Sequence, residues 1–352
     1  MKLLHTCGAK LADTFMQLLR LANLNTEPTV ASNELLKRPS IVTIGNFDGM
    51  HLGHQSLLRH MQEIAASKHL TTCVVIFEPQ PKEFFMSAQA PGRISPFRDK
   101  ISALKTYRID QVLCLNFNKK TASLTAEHFV EKVLINRLNA KHIIVGNDFK
   151  FGKNREGDIT DLKALGERFH FEVSQIPSYI KDHCRVSSSK IRVLIEKGQF
   201  DKAKKLLGHA YTISGRVHRG KQKGRELGFP TINLPMPIKT AISGVCVVKL
   251  EVDGKIHYGI ANIGTRPTVC GQQRLLEVHI FNFHDDLYGQ YVRIEFLHFI
   301  RAERKFNGLS QLITQIEQDK STAESWLDRH LSTVNTSENK AYQRPCQTIK
   351  TR

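Results

Sequence analysis

Two patterns of hydrophobic and polar positions divide the chain. Between residues 40 and 207, short continuous apolar runs alternate with stretches in which apolar residues recur at helical spacing. The runs at 41–44 and 73–77 are typical of buried parallel strands, and Leu58 and Met61 belong to a helical stripe between them. This alternation predicts an α/β fold, a parallel sheet with helices on its faces. Further strands are predicted at 112–117 and 142–145, and further helices at 129–138, 187–198 and 201–207.

Beyond residue 208 the pattern changes to short β-branched runs punctuated by glycine and proline. Such runs are typical of an antiparallel barrel or sandwich. They lie at 211–213, 245–252, 257–261, 276–281 and 292–296, and a helical stripe follows at 309–327. We therefore predict an N-terminal extension and lead-in at 1–39, an α/β domain at 40–207, a β domain with a C-terminal helix at 208–331, and a disordered polar tail at 332–352.

Composition limits the class of protein. With 352 residues and 41% hydrophobic content, the chain can bury the cores of two domains. A net charge of +18 favours anionic partners such as nucleotides, nucleic acid or acidic membrane, although a generally basic soluble protein explains it more simply. There are seven cysteines and no C-x-x-C pair, no secretory signal and no apolar run of bilayer length, so we expect a soluble cytoplasmic protein.

A string rich in glycine and histidine, residues 45–55, joins the first predicted strand to the next helix. Glycines let the backbone approach a phosphate closely, and a helix start presents free N–H groups to an anion. His51 and His54, on either side of Gly53, can donate hydrogen bonds to that anion. This arrangement suits attack on the α-phosphate of ATP with pyrophosphate leaving, which depends on positioning and charge stabilisation. The alternative is a tight turn with two surface histidines.

A second stretch of sequence that can bind phosphate begins at Ser188. Ser188 lies at a predicted helix start and Arg192 follows one turn later, so a hydroxyl, backbone N–H groups and a guanidinium can form a clamp. An ordinary serine-capped helix has the same pattern, and both interpretations stay open at this point.

A basic, glycine-rich loop occupies residues 215–225 of the β domain. A flexible loop of this kind can close over nucleotide phosphates, while a solvated hairpin or an RNA-binding patch has the same composition. Directly after it, the Thr231 hydroxyl and the Asn233 carboxamide offer hard oxygen donors suited to Mg²⁺ bound with phosphate. The loop residues that we expect to bind nucleotide are Gly220, Lys221, Gly224 and Arg225.

These stretches together resemble the bacterial bifunctional riboflavin kinase/FMN adenylyltransferase (FAD synthetase) family. Residues 45–55 match its G-N-F-D-G-x-H-x-G-H-Q string, and residues 224–233 resemble G-R-x-L-G-F-P-T-x-N. The resemblance extends over about residues 16–331, nearly the whole chain. Other matching stretches are 77–81 (F-E-P-H-P), 145–158 (V-G-x-D-F-x-F-G-x-x-R-x-G-D), 186–192 (I-S-S-T-x-I-R), 259–268 (G-V-A-N-I-G-x-R-P-T) and 276–289 (L-E-V-H-L…D-L-Y-G).

The resemblance implies a doubly wound nucleotidyltransferase domain followed by a small antiparallel β-barrel kinase domain. It implies ATP-dependent phosphorylation of riboflavin to FMN, with Glu277 as the proposed base, and adenylylation of FMN to FAD. Mg²⁺ is expected with ATP, without a tightly bound prosthetic metal. His51, His54 and Arg192 are implied as further catalytic residues. The implied nucleotide ligands of the first domain are Gly45, Asn46, Phe47, Asp48, Gly53, Asn147, Asp148 and Ser188.

Two departures from the family pattern affect the expected activity. Gln80 replaces the histidine of F-E-P-H-P, so a kinase with weakened adenylyltransferase activity is one alternative. Lys190 replaces an arginine and lacks its bidentate fork. A basic RNA-binding protein is the other alternative, although no recognised RNA-binding module is present. We expect ATP, riboflavin, FMN and FAD as partners, no nucleic acid or membrane, and a monomer or transient oligomer. Met16 is an alternative start to Met1.

Overall fold

The computed structural model describes residues 16–21, 38–220, 224, 228–237, 239–268 and 271–341, with the backbone alone for 266–268, 271–273 and 332–341. Contacts between Cα atoms divide these residues into two compact units. The first unit contains the described residues up to Pro91 together with Phe97–Ser188. The second contains Gly92–Pro96 together with the described residues from Ser189 onward.

The first unit is built on a six-stranded sheet in the order β1-β4-β3-β2-β5-β6, in which every neighbouring pair is parallel. The chain passes from β2 through β3 to β4 on one side, then crosses to β5 and β6 on the other. The predicted doubly wound sheet is therefore confirmed, and its order reverses between β2 and β5. The strands are β1 (Gln17–Leu21), β2 (Ser40–Ile44), β3 (Thr71–Glu78), β4 (Gln111–Asn116), β5 (Ala140–Gly146) and β6 (Glu172–Ile176).

Helices connect these strands, and one of them differs from the prediction. The helix expected at 129–138 is a short α-helix that continues into a π-helix, Val130–Ile135. The α-helices of this unit are α1 (Leu52–Lys68), α2 (Pro81–Met86), α3 (Phe97–Thr106), α4 (Lys119–Ala122), α5 (Ala126–Phe129) and α6 (Ile159–Phe169). Short 3₁₀ turns lie at Ser87–Gln89 and Lys153–Arg155, and β7 (Ile180–Lys181) pairs with β8 (Cys184–Arg185).

Side-chain alternation along the strands explains why both faces of the sheet are covered. Ile41 and Val74 belong to one fully buried cluster, whereas their neighbours Val42 and Val75 belong to the other. Successive strand residues point to opposite faces, so a continuous apolar run requires a layer of helices on each side. On the first of these faces α1 supplies Leu58, which is completely buried.

The second unit contains an antiparallel sheet in the order β10-β13-β12-β11-β14-β9. An antiparallel bridge between His218, just after β9, and Asn233 in β10 brings the two edges together. The sheet therefore forms the predicted barrel, nearly closed. Its strands are β9 (Thr212–Arg216), β10 (Ile232–Met236), β11 (Gly244–Val252), β12 (Lys255–Thr268), β13 (Gly271–Ile280) and β14 (Tyr291–Arg301).

Two helices that precede residue 208 pack with this barrel. These are α7 (Ser188–Glu196, of which Ser188 belongs to the first unit) and α8 (Phe200–Leu207). The Phe200 ring lies 6.1 Å from that of Tyr211 and 6.0 Å from that of Phe296, measured between centroids. The contact boundary therefore falls at Ser188, earlier than the 207/208 boundary that we predicted from the change of sequence pattern.

The C-terminal helix, α9 (Leu309–Ala341), begins where it was predicted and ends later. Its Ala323 and Leu327 pack on Val247 and Ile260 of the barrel. The helix continues ten residues into the segment expected to be disordered, because extending an existing helix costs far less than starting one. Residues 342–352 lie outside the described part of the chain, and their disorder stays a prediction. No described helix is long and apolar enough to cross a bilayer.

Candidate active sites

The loop after β2 has an unusual backbone that its own side chains enforce. Phe47 and Met50 adopt left-handed φ angles of 46° and 40°, and Gly49 lies between them at 81°. The side chains of Phe47 and Met50 are 2% and 4% exposed, and both pack in the core of the first unit. Left-handed geometry is costly for residues with a Cβ atom and tends to occur at functional sites. The buried side chains therefore fix the loop backbone at the carboxyl edge of the sheet.

The two histidines of this loop form a stacked pair. His51 caps α1, and its Nδ1 accepts a hydrogen bond of 3.3 Å from the backbone N–H of His54. Their ring centroids lie 3.6 Å apart at an interplanar angle of 14°. A Cβ atom on Gly53 would come within 3.3 Å of the His51 ring, a tight contact that glycine avoids. Because His51 Nδ1 is an acceptor, its proton lies on Nε2, where it can be donated to a ligand.

The electrostatics of the site favour a neutral His54 ring. Burial lowers the pKa of His54 well below its ordinary value of 6.5, and the nearby charges of His51 and Lys100 lower it further. Lys100, on α3, is only 1% exposed. We did not single out this lysine from the sequence, where a lysine in an amphipathic helix is normally a surface residue. The His54 ring is therefore neutral at neutral pH and can still donate a hydrogen bond to a phosphate.

Other predicted ligands of the first unit lie around the same loop. The Ser188 hydroxyl donates to the Asp48 carbonyl at 3.1 Å, and the Asp48 side chain is 1% exposed. Asn147 and Asp148 follow β5, the strand next to β2, so they lie at the sheet edge where the strand order reverses. Ligands of open α/β sheets bind at such an edge. The Asp148 carboxylate pairs with Arg185 at 2.7 Å, and the remaining predicted ligands, Gly45 and Asn46, begin the loop.

The structure also defines the surroundings of two residues singled out from the motifs. Arg192 belongs to the second unit, where its Nε donates to the Gly92 carbonyl at 2.7 Å. Gln80 is 6% exposed at the start of α2, and its side-chain Nε2 is buried without a hydrogen-bond partner. Gln80 can therefore act as a donor but remains neutral, as its residue type implies.

Among the described residues of the second unit, two cavities share one lining residue. A cavity of about 190 Å³ is lined by Thr231, Asn233, Asp285 and Asp286. A larger and more apolar cavity, about 420 Å³, lies between the barrel and α9. Thr231 lines both, so the polar cavity adjoins the apolar one. The apolar walls of the larger cavity come from Ile260, Phe306, Leu309, Leu312 and Ile316.

Glu277 lines the larger cavity, together with His279 two residues later on β13. The intervening Val278 is completely buried, because alternate residues of a strand face opposite sides. The expectation that Glu277 points away from Val278 is confirmed, and its side chain faces a cavity. Burial lowers the pKa of His279, whose Nδ1 donates to the Pro230 carbonyl at 2.9 Å.

Gly220 of the glycine-rich loop lies next to Asn233, one of the proposed metal ligands. A Cβ atom on Gly220 would lie 2.6 Å from Nδ2 of Asn233, so glycine permits this close contact. The Gly224 carbonyl accepts a hydrogen bond of 2.7 Å from the Phe229 N–H. Lys221 and Arg225 lie outside the described residues, and their role stays a prediction. No group of three His, Cys, Asp or Glu side chains in the described part of the chain is arranged to hold a metal ion.

A largely buried ion pair lines the larger cavity and was not anticipated from the sequence. The Arg301 guanidinium of β14 binds the Asp319 carboxylate of α9 through Nε and a terminal nitrogen, at 2.9 and 2.7 Å. Asp319 is 3% exposed and also accepts from Gln315 at 2.8 Å. Both charged groups line the cavity. They lie 18 positions apart in the chain, so only the packing of α9 on the barrel reveals the pair.

Comparison with known proteins gives two separate family matches, one in each half of the chain. A family model described as FAD synthetase matches residues 34–190, and one described as riboflavin kinase matches residues 207–327. Three similar proteins carry the name bifunctional riboflavin kinase/FMN adenylyltransferase. The protein of Haemophilus influenzae is 43% identical over 82% of this chain and 94% of its own length. Those of Escherichia coli K12 and Pseudomonas fluorescens are each 40% identical, over 80% and 88% of this chain and 91% and 97% of their own.

A solved structure is also similar over most of the chain. It is described as a macrolide-efflux protein from Streptococcus pneumoniae, and that description applies to the S. pneumoniae protein. The two chains are 31% identical with a TM-score of 0.66. The alignment covers 88% of this chain and 99% of the other, so the architecture of both units is shared.

Proposed function

Because the chain belongs to the bifunctional riboflavin kinase/FMN adenylyltransferase family, we propose that its two units each carry one of the two reactions. The second unit phosphorylates riboflavin with ATP to FMN and ADP. The first unit adenylylates FMN with a second ATP to FAD and pyrophosphate. One observation carries the assignment: Glu277 faces an apolar cavity that shares Thr231 with a polar, oxygen-rich cavity. A flavin ring and a nucleotide phosphate need two adjoining cavities of this kind.

In the first unit, the phosphate of FMN attacks the α-phosphorus of ATP, and the bond to pyrophosphate breaks. We assign the N–H groups of His51 and His54 to the α-phosphate oxygens, where negative charge increases in the transition state. The backbone of residues 45–48, Gly53 and the start of the 17-residue helix α1 add further donors and a positive dipole end. Donors fixed before the reaction stabilise such charge without reorganising. Asn147, Asp148 and Ser188 complete the proposed nucleotide site.

Arg192 is a further residue that we assign to the adenylylation reaction. Its guanidinium has nitrogens besides Nε, and the motif assigns it to phosphate. We keep that assignment as a proposal, alongside the hydrogen bond from Nε to the Gly92 carbonyl.

In the second unit, the terminal hydroxyl of the ribityl chain attacks the γ-phosphorus of ATP, and ADP leaves. We propose that the Glu277 carboxylate accepts the hydroxyl proton during attack. The isoalloxazine ring occupies the 420 Å³ cavity, which is within the usual range for a ligand of this size. The loop that includes Gly220, Lys221, Gly224 and Arg225 covers the phosphates.

A divalent metal ion bound with ATP fits the polar cavity. Thr231 and Asn233 offer neutral oxygens there, and Asp285 and Asp286 offer carboxylates, the donor types that Mg²⁺ prefers. We propose that Thr231 and Asn233 hold Mg²⁺ in this unit. When bound, the ion would neutralise phosphate charge and make the γ-phosphorus a better electrophile. We further propose a cytoplasmic enzyme that acts as a monomer or transient oligomer, with no nucleic-acid partner.

A time course with separated flavins tests the whole proposal. The protein is incubated with riboflavin, ATP and Mg²⁺, and riboflavin, FMN and FAD are quantified by chromatography. FMN should appear first and FAD second. Accumulation of FMN without FAD would instead support a kinase with weakened adenylyltransferase activity, the consequence that we associated with Gln80. Unchanged riboflavin would reject the proposal.

A further inference from the structure

A five-residue segment joins the second unit from inside the sequence of the first. Gly92–Pro96 lies within the stretch matched by the FAD synthetase model, yet its contacts assign it to the second unit. Arg93 forms a parallel bridge with Thr240. The Arg93 N–H donates to the Lys239 carbonyl at 3.1 Å, and the Arg93 carbonyl accepts from the Ala241 N–H at 2.8 Å. Ile94 is 2% exposed, so the segment contributes both backbone pairing and a buried side chain.

Arg192 fixes the first residue of this segment. Its Nε donates to the Gly92 carbonyl at 2.7 Å, a short bond from a charged donor. The Arg192 side chain is half-buried on α7, itself part of the second unit from Ser189 onward. A residue of the adenylyltransferase signature therefore has a defined partner within the kinase unit.

Gly92 is the residue that allows the segment to approach so closely. A Cβ atom there would lie 2.4 Å from the Thr240 carbonyl carbon, 2.5 Å from its oxygen and 2.7 Å from the Ala241 nitrogen. These are backbone atoms, which cannot turn aside as a flexible side chain can. Substitution of Gly92 by alanine should therefore displace the segment from residues 239–241, and it leaves the Arg192 side chain itself unsubstituted.

Further hydrogen bonds connect residues 239–242 to β13, the strand that carries Glu277. The Thr240 hydroxyl donates to the Ile242 carbonyl at 2.8 Å, and the same carbonyl accepts from Arg274 at 2.9 Å. Arg274 lies on β13, three residues before Glu277. An unbroken series of contacts therefore leads from Arg192 to the strand that carries the proposed base.

We propose that Arg192 is a positioning residue for riboflavin phosphorylation. Through the Gly92 carbonyl it holds Gly92–Pro96 on residues 239–242, and that segment in turn holds β13 and the Glu277 carboxylate at the cavity. This inference rests on the proposed function, because it assumes that Glu277 serves the kinase reaction. A role confined to phosphate binding in the adenylyltransferase reaction would leave riboflavin phosphorylation independent of Arg192.

The test compares Arg192→Ala, Gly92→Ala and the double variant in the full chain. Each single variant should lower kcat for riboflavin phosphorylation by about tenfold with the KM for riboflavin nearly unchanged, because misplacing a catalytic group affects the transition state more than binding. The double variant should be no worse than the poorer single variant, since both changes release the same segment. Arg192→Lys, which retains a charged donor, should recover most of the rate, a rescue that loss of packing alone does not predict.

Matched controls come from exposed positions of the same unit. Arg293→Ala removes an exposed arginine of β14, and Gly308→Ala adds a Cβ atom with nothing within 4 Å. Both should phosphorylate riboflavin at the parental rate. Parental kcat in Arg192→Ala, or additive losses in the double variant, would overturn the inference while leaving the proposed function intact. A parent protein that cannot phosphorylate riboflavin would reject the proposed function itself. If Gly92→Ala fails to fold, the contrast between Arg192→Ala and Arg192→Lys decides the question.

Discussion

Asn233 and Glu277 are direct partners in the antiparallel pairing of β10 with β13. Directly opposed residues of two strands have their side chains on the same face, with Cβ atoms about 4.5–5.5 Å apart. The pairing therefore places a proposed metal ligand next to the proposed base, although 44 positions separate them in the chain. A phosphate bound at Asn233 and a hydroxyl oriented by Glu277 would consequently meet at this point of the barrel.

Glu277→Gln should lower riboflavin phosphorylation by about 10²–10⁴-fold, the usual contribution of a general base. Glutamine keeps the shape of the side chain and cannot accept the hydroxyl proton. The same variant supplied with FMN should make FAD at the parental rate, because the first unit is unchanged. Glu251→Gln, at an exposed position of β11, is the matched control. Near-parental phosphorylation by Glu277→Gln would contradict the assignment of Glu277 as the general base.

His54→Ala should abolish most FAD formation from FMN and leave FMN formation intact. Loss of one preorganised donor to a developing charge costs about 10²–10³-fold in rate. The initial rates with FMN and with riboflavin as separate substrates measure the two effects. His60→Ala removes an exposed histidine two turns further along the same helix and should change neither rate. FAD formation at the parental rate by His54→Ala would show that the stacked pair has no role in catalysis.

The stability of the second unit should fall as the pH falls below about 6.5, the ordinary histidine pKa. Burial lowers the pKa of His298, and His330 and Arg329 lower it further, against an opposing effect of Asp201. The unfolded chain therefore binds more protons than the folded chain in that pH range, so acid favours unfolding.

Trp326 provides the measurement for this prediction. It is the single tryptophan of the sequence, and its ring stacks on His298 at 5.3 Å between centroids. Urea unfolding followed by tryptophan fluorescence should show a lower midpoint at pH 5.5 than at pH 7.5. His298→Phe keeps an aromatic ring there and should reduce the difference, whereas His209→Phe, at an exposed position, should not. An equal pH dependence in the parent and His298→Phe would contradict the prediction.

A fragment of residues 189–341 should be more stable than one of residues 208–331. The shorter fragment corresponds to the domain boundaries predicted from sequence, and it lacks α7, α8 and the last ten residues of α9. Phe200 of α8 contacts Tyr211 and Phe296, and each aromatic pair contributes about 0.5–1.5 kcal/mol beyond its buried area. Thermal unfolding and riboflavin phosphorylation of the two fragments provide the comparison. Equal midpoints would show that residue 208 is the better domain boundary.

A chain that begins at Met16 should retain both activities. Met16 directly precedes β1, which pairs with β4 at the edge of the parallel sheet. A second truncation that also removes residues 17–21 serves as the contrast, because it exposes the edge of β4 and should lower the melting temperature. Loss of FAD formation in the longer of these chains would show that residues 1–15 are needed.

The fold class was predictable because the spacing of apolar residues and the composition differ clearly between the two halves of the chain. Continuous apolar runs such as 73–77 require helices on both faces, and β-branched runs separated by glycine and proline require tight antiparallel turns. The edge strands β1 and β6 were missed. They are short, and the partly exposed β6 contains Glu172 and Gln175, so neither has the apolar pattern of a central strand.

The local sequence was sufficient to predict sites whose residues lie close together along the chain. His51, Gly53 and His54 lie within one helical turn, so their spacing alone brings them together. The pairing of Arg301 with Asp319, the burial of Lys100 and the contact of Arg192 with Gly92 depend instead on how separate elements pack. The amino-acid pattern thus accounts for the local elements and motifs of this protein. Contacts between distant segments had to be read from the folded chain, because they depend on a side-chain environment that no local pattern encodes.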